Sequence, residues 1–332
     1  MLHVIPPYSA DALRIDPAIE TEKIVTALRA QLRAMRKWGL VLGVSGGIDS
    51  SVSVALAVRA VGARNVQVLY MPERDSDPES LRLGRLVAAT FGLDGIVEDV
   101  GPALDALGCY ARRDAAIRSI VPDYGPGWAC KVAISQSDGG EGYNISSLVV
   151  QSPDGRQQTH RMPLEVYLGV VAATNMKQRT RKQIEYYHAD RLNYAVLGTP
   201  NRLEYDQGFF VKNGDGAADV KPIAHLYKTQ VYALAAYLGV PAEIRARPPT
   251  TDTYSLPQSQ EEFYFALPWD RMDLCLYGLN HGIGAEAVAT AAGLTEAQVR
   301  HVWRDIASKR KATKYLHTGP LLIEPVTEIE TA

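Results

Sequence analysis

Gly43-Val44-Ser45-Gly46-Gly47-Ile48-Asp49-Ser50-Ser51 is the stretch whose reading decides the fold. Before it, residues 40–44 form a short apolar run of strand length. After it, residues 50–61 are rich in alanine and valine and read as a helix. A strand that passes through glycine and serine into a helix is suited to a phosphate chain. Glycines without Cβ let backbone N–H groups come close to an anion, and the following helix turns its positive end toward the same charge. Ser45 and Ser50 add hydroxyl donors. Asp49 would repel phosphate unless a cation such as magnesium lay between them, so the loop is expected to hold a nucleotide pyrophosphate with its metal. It is not the GxxxxGK[ST] loop, which needs a lysine absent here, nor the GxGxxG dinucleotide fingerprint.

Working outward, Asp16 and Pro17 are a cap residue and a first-turn proline. They precede Ile19, Ile24, Leu28, Leu32 and Met35 at helical spacing. Residues 65–71 read as a strand, 78–91 as a helix and 95–100 as a strand. This alternation predicts an α/β protein with a doubly wound, mostly parallel sheet. From 110 to 162 the rhythm breaks, and the segment reads as an insertion. Pro153, Asp154 and Gly155 make a turn between 145–150 and 157–162, which predicts a hairpin. Three roles stay open for it: a lid, an oligomer contact or a plain surface hairpin. The α/β pattern resumes with a helix over 164–191, a strand over 194–197 and a helix over 226–238. A long polar loop, 248–268, precedes a helical C-terminal part over 269–315, where Thr295 and Gln298 form a capping-box pattern. The reading is one domain over 1–332.

Composition narrows the function. In 332 residues, 35 Lys and Arg stand against 37 Asp and Glu, and no run of five or six like charges occurs. A nucleic-acid partner or a polybasic membrane anchor is therefore not expected. No apolar stretch approaches the roughly 18 residues of a membrane span, and residues 1–16 lack the pattern of a secretory signal. The chain is expected to be cytoplasmic. Cys109, Cys130 and Cys275 are far apart, without a CxxC or zinc spacing, and read as buried thiols.

At the glycine loop, Ser-Gly-Gly-Ile-Asp-Ser over 45–50 resembles the signature of the N-type ATP pyrophosphatases, which cleave ATP between its α and β phosphates and activate a carboxyl or carbonyl as an adenylate. The second half narrows the resemblance. Asn175-Met176-Lys177-Gln178-Arg179-Thr180-Arg181, Leu197-Gly198-Thr199, Asn201 with Glu204, residues 208–219 (GFFVKNGDGAAD), Lys228 and Pro249-Thr250 are similar in order and spacing to the NAD synthetase family, ammonia-dependent type. The resemblance implies an adenine nucleotide alpha hydrolase-like fold and an AMP-forming amide ligase that uses ATP and Mg2+. It makes Asp49 and Glu204 the magnesium ligands. Gly43, Val44, Ser45, Gly46, Gly47, Ile48, Asp49, Ser50, Thr199, Lys228 and Thr250 become the ATP-binding positions. Asn175, Arg179, Lys212, Asp215, Asp219 and His317 become the contacts to the deamido-NAD substrate. Lys228 is expected to offset charge on the leaving pyrophosphate, and Asp215 to hold or deprotonate ammonium. No glutaminase module is expected, so free ammonia, or ammonia delivered by a separate protein, is the implied donor. A homodimer is implied as well.

The departures from the family pattern gather on the acceptor side. Gln178 stands where a small residue is usual, Val211 where threonine is, and Lys182 where methionine is. His317 is followed by Thr318 instead of lysine. A second reading therefore stays beside the first: a related ligase adenylating a different carboxylate in a specialised biosynthetic pathway. From another class, a non-catalytic nucleotide-binding protein is disfavoured by the two intact acids, Asp49 and Glu204.

Overall fold

The computed structural model describes residues 7–135, 145–250, 254–265 and 267–328. Asp16 opens α1 (Pro17–Ala34) as predicted. Its carboxylate accepts from the N–H groups of Ala18 and Ile19 at 2.9 and 3.1 Å, and the proline that follows has no N–H to leave unpaired. β1 (Leu40–Gly43), α2 (Ile48–Val61), β2 (Val66–Tyr70), α3 (Pro78–Thr90) and β3 (Ile96–Val97) then alternate. β3 is shorter than the sequence pattern implies. Two hydrogen bonds continue beyond it, from Glu98 N–H to Tyr70 O at 2.8 Å and from Val100 N–H to Pro72 O at 3.0 Å, and Asp99 accepts from the Gly101 N–H at 2.9 Å at the start of α4 (Gly101–Ala106), which α5 (Cys109–Arg118) follows.

The segment 110–162 divides in two. Its first residues belong to α5, which packs along the later helix α6 (Leu164–Leu192), with the Cys109 thiol donating to Ala173 O at 3.2 Å. The remainder forms a separate antiparallel sheet of β4 (Ala129–Ser135), β5 (Ile145–Gln151) and β6 (Gln157–Arg161). β5 and β6 are the anticipated hairpin, turning at Gly155. β4 was not anticipated, because Cys130 and Val132 alternate with lysine and alanine too briefly to stand out. Both are buried against Leu148, Val150 and Tyr254. The polar stretch over 137–142 lies outside the described residues.

After α6 (Leu164–Leu192) and β7 (Ala195–Val196) come α7 (Arg202–Gln207), α8 (Lys228–Leu238), α9 (Ala242–Ala246), α10 (Trp269–Asn280), α11 (Ala285–Ala292) and α12 (Glu296–Thr313). The main sheet is parallel, in the order β3-β2-β1-β7. Side-chain alternation sets its two faces. Leu40, Leu42, Val66 and Val68 pack with α1, α2 and α8; Val41, Leu69 and Val196 pack with Ala189 of α6. Each is buried, and burial of a Leu or Val side chain contributes about 1.5–3 kcal/mol. The three C-terminal helices share a second core around Met272, Leu276, Val288 and Ile306. The Thr295–Gln298 capping box is formed, with bonds of 2.8 and 3.2 Å. All three cysteines are free and buried. No helix among the described residues is long and apolar enough to cross a membrane.

Candidate active site

The chain runs from β1 outward through β2 to β3 and returns on the far side of β1 as β7. The crevice beyond the carboxyl ends of β1 and β7 is thus a topological switch point, where open α/β sheets bind ligands. A cavity of about 840 Å³ opens there. The glycine loop forms one wall. Val44 N–H donates to Leu69 O at 2.9 Å, and Gly46 then takes φ +74°. A Cβ on Gly46 would stand 2.6 Å from the Leu83 Cβ and 2.9 Å from Ser80 O, so both backbone and space demand glycine. Ser45 Oγ accepts from Gly47 N–H at 3.3 Å, while Ser50 and Ser51 donate to Gly47 O at 3.0 and 2.7 Å. Gly47, which precedes α2, has no side chain to cap it. The first-turn N–H groups and the positive end of α2 are thereby left for a ligand's anion.

Asn201, almost wholly buried, ties the two acids together. Its side-chain amide donates to Asp49 Oδ1 at 3.0 Å and its backbone N–H to Glu204 Oε2 at 3.0 Å. Its side-chain oxygen accepts from the N–H groups of Leu203 and Glu204. Asn201 and Glu204 are thus the two ends of a capping box on α7. Gln260 donates to the other oxygen, Glu204 Oε1, at 2.9 Å. Burial, and then the charge of Asp49, pushes the Glu204 carboxyl up to about 7, with Lys228 working the other way. A divalent cation between the acids removes that repulsion, and carboxylate oxygens are the donors magnesium selects, so these residues fit it. Among the described residues no cluster of three or more His, Cys, Asp or Glu could hold a metal. Phosphate oxygens and water would complete the shell.

Lys228, the first residue of α8, is 1% exposed and pairs through Nζ with Asp49. Burial works against its ammonium, but the charges of Asp49 and Glu204 outweigh that and hold its pKa above the ordinary lysine value. Asp273, fully buried on α10, seats this helix start. It accepts from Lys228 N–H at 3.2 Å, Thr229 N–H at 2.6 Å and the Thr229 hydroxyl at 2.7 Å. Burial lifts the Asp273 carboxyl to about 6 against those donors.

A further wall of the cavity is lined by α6. Asn175, Arg179, Lys182 and Glu185 follow one another by three or four residues, which places them on one face of the helix. Lys182 and Glu185 are both buried and pair at 2.6 Å; a Cβ on Gly43 would stand 3.0 Å from Glu185 Oε1. Asp215 lines the same cavity and accepts from Val211 N–H at 2.7 Å. Burial raises the carboxyls of both Glu185 and Asp215 above the usual range, and Lys182 opposes it in each. Lys212 Nζ donates to the carbonyls of Tyr315 and Thr318, each at 2.7 Å, which draws the end of the chain over the site. The adjoining row of α6 anchors the helix. Lys177, 1% exposed, pairs with Glu73 at 2.9 Å and Asp75 at 2.7 Å, and Arg181 Nε donates to Met71 O at 3.1 Å.

The cavity therefore brings together the glycine loop, both acids, Thr199, Thr250, Lys228, Asn175, Arg179, Lys212 and Asp215. Two positions expected at the acceptor lie outside it. Asp219 accepts from Val196 N–H at 2.7 Å and the Tyr186 hydroxyl at 3.3 Å, an arrangement that fixes the end of β7. His317 packs edge-on against the rings of Tyr205 and Phe210, at 4.8 and 5.2 Å, while its neighbours Tyr315 and Leu316 line the cavity. Sequence reasoning passed over Glu185, Gln260 and Asp273, named Lys182 only as an acceptor-side departure and quoted Asn201 only as part of a motif, without a role. Asn201 carried a signal, the capping-box spacing to Glu204, and Lys182 and Glu185 continue the helical row from Asn175. Gln260 and Asp273 reach the site only through tertiary folding.

A family model described as "NAD synthase" matches residues 20–119 and 138–315; the gap between them includes the whole of β4. Over 323 residues the chain is 75% identical to the NH(3)-dependent NAD(+) synthetase of Rhizobium meliloti (strain 1021), with 97% of each chain covered. Among solved structures, NMN synthetase from Francisella tularensis aligns with TM-score 0.62 at 21% identity, over 94% of this chain and 100% of that one. NH3-dependent NAD synthetase from Campylobacter jejuni subsp. jejuni NCTC 11168, in complex with the nitrate ion, aligns with TM-score 0.61 at 21% identity and the same coverage. At that identity the two structures speak for the fold alone.

Proposed function

Because the chain belongs to the NAD synthase family and forms NAD from deamido-NAD, ammonia and ATP, a carbon–nitrogen ligation, we propose that the two ends of the cavity divide that reaction between them. The nucleotide end takes ATP. The loop amides and the positive end of α2 hold its phosphates, with Thr199 and Thr250 beside them. Asp49 and Glu204 are the residues that hold Mg2+, and the bound ion supplies positive charge to the phosphates. Lys228 keeps an ammonium at the same place to offset charge on the pyrophosphate as it leaves.

The acceptor end takes deamido-NAD, with Asn175, Arg179 and Lys212 as its polar contacts. Its nicotinate carboxylate attacks the α-phosphorus and expels pyrophosphate, which leaves an acyl adenylate. Ammonia then attacks the acyl carbon, AMP departs with the carbon–oxygen bond's electrons, and Asp215 takes the surplus proton from nitrogen. The raised carboxyl of Asp215 suits a proton carrier. No enzyme nucleophile is required.

The observation that carries this division is the brace of Asn201 across Asp49 and Glu204, in one cavity with Asp215. The test is incubation with ATP, magnesium, ammonium and deamido-NAD. NAD, AMP and pyrophosphate are expected in equal amounts; ADP as the nucleotide product overturns the scheme. We read residues 1–332 as one catalytic domain, with 110–162 as an insertion and 269–315 as its helical C-terminal part. We also assign the enzyme to the cytoplasm, where free buried thiols stay reduced. A homodimer is in keeping with Leu164 and Leu168, one helical turn apart on α6 and 72% and 54% exposed. Sedimentation of a monomer at micromolar concentration would remove that last assignment.

A further inference from the structure

β4 is an edge strand, and its open side is not left to solvent. The segment over 255–262 lies along it. Cys130 N–H donates to Ser255 Oγ at 2.9 Å, Leu256 N–H donates to Cys130 O at 3.1 Å, and the Gln258 amide donates to Val132 O at 2.6 Å. Lys131 pairs with Glu262 at 2.6 Å. Gln258 is 3% exposed, so its amide is spent on the strand and not on water. From there the segment folds back onto the cavity. Ser259 forms an antiparallel bridge with Thr250, Gln260 N–H donates to Pro249 O at 3.3 Å, and the Gln260 side chain reaches Glu204 Oε1.

We propose that Gln260 is a positioning residue for the metal-binding carboxylate of Glu204, and that the β4–β6 sheet holds it in place through Gln258. The inference rests on the reading of Glu204 as a magnesium ligand. Glu204 is tied at both oxygens, Oε2 by the Asn201 N–H and Oε1 by Gln260. Each carboxylate oxygen has two lone pairs, so one donor apiece leaves a lone pair on each for a cation. A neutral amide suits the task better than a cationic side chain. It orients the carboxylate without cancelling the charge that attracts the metal. A single residue, Ser259, separates the amide that grips the strand from the amide that grips the acid, so with both side chains engaged the short backbone between them has little freedom. The antiparallel sheet thereby acquires a part in the chemistry although it supplies no group that touches the metal.

The test measures Mn2+ binding to the full-length chain by electron paramagnetic resonance in the presence of α,β-methylene-ATP, alongside binding of that nucleotide in EDTA. Gln260→Met is expected to weaken Mn2+ binding about ten- to a hundredfold. Gln258→Leu should weaken it less, roughly three- to tenfold, as expected of a residue one step further from the acid. Nucleotide affinity in EDTA should stay within twofold of the native value in both. Gln260→Asn, one methylene shorter, withdraws the amide with little change of packing and serves if the methionine variant does not fold. Glu204→Gln separates the two layers of the argument. If it loses Mn2+ while the Gln260 variants bind Mn2+ like the native chain, the positioning role is wrong and the metal reading stands. If Glu204→Gln binds Mn2+ normally, the metal reading itself has failed. A parallel fall of Mn2+ and metal-free nucleotide binding in the Gln260 variants would mark a merely structural role and overturn the inference.

Discussion

At the nucleotide end of the cavity one turn between β1 and α2 presents backbone N–H groups, and Asn201 and Asp273 hold the acids and Lys228 from behind. At the acceptor end the lining comes from side chains of α6 and of the loop that carries Lys212 and Asp215, with Lys182 and Glu185 paired to each other. A phosphate chain is the same in every nucleotide and can be met by peptide groups, which any sequence supplies once glycine allows the approach. An acceptor has to be chosen, and choice is exercised by side chains. The first end is therefore written in a local motif, and the second is spread over residues 175–215 and adjusted position by position.

The largest effect should come from Lys228→Met. It removes the buried ammonium and leaves Asp49 and Glu204 facing each other uncompensated. Pyrophosphate release dependent on deamido-NAD should fall by about 10²–10³-fold; a variant keeping a tenth of native activity would mean that the nucleotide end does not depend on this charge. Asp215→Asn should cut amidation by about 10²-fold while exchange of labelled pyrophosphate into ATP stays within threefold. Equal loss in both assays would erase the distinction between the two ends.

A smaller effect is expected from the carboxyl behind the nucleotide end. Burial holds Asp273 at about 6 in the folded chain, above the ordinary 3.8. The folded state therefore binds the proton more tightly than the unfolded one. The stability this confers is fully present below about pH 4 and is lost as pH rises through about 6. Between pH 5 and 7 the loss is about 1–2 kcal/mol. Urea unfolding of the ligand-free protein should show a decline over this range, to which the raised Glu204 carboxyl adds, and Asp273→Asn should make it shallower by about that amount; parallel curves for the two proteins would assign the whole decline elsewhere. Least of all, His317→Ala should change the KM for deamido-NAD by less than threefold, since the ring packs on Tyr205 and Phe210 outside the cavity. A tenfold rise would extend the acceptor end to the C-terminal turn.

The legibility of the molecule follows the same line. The strand, glycine loop and helix were readable because their signals are contiguous, and the Asp16 and Thr295 caps because a cap is decided within three residues. β4 escaped because an edge strand of mixed composition acquires its identity from its partners, here β5 and the segment around Gln258. Lys182 and Glu185 were legible as a helical row, yet nothing local told that they would be buried as a pair. Asp219 looked like a ligand by its place in a motif, and the fold uses it to pin β7. Asp273 lay beyond reach for a simpler reason: it caps a helix that began 45 residues earlier in the chain.

That last distance bears on how the enzyme comes into being. A nascent chain emerges N-terminus first, so its phosphate loop is out of the ribosome long before the cap beneath Lys228, and longer still before the Tyr315 and Thr318 carbonyls that fasten Lys212. A half-made polypeptide therefore carries the phosphate loop without the cap that seats Lys228, and a chain stopped before Tyr315 would lack the carbonyls that fasten Lys212.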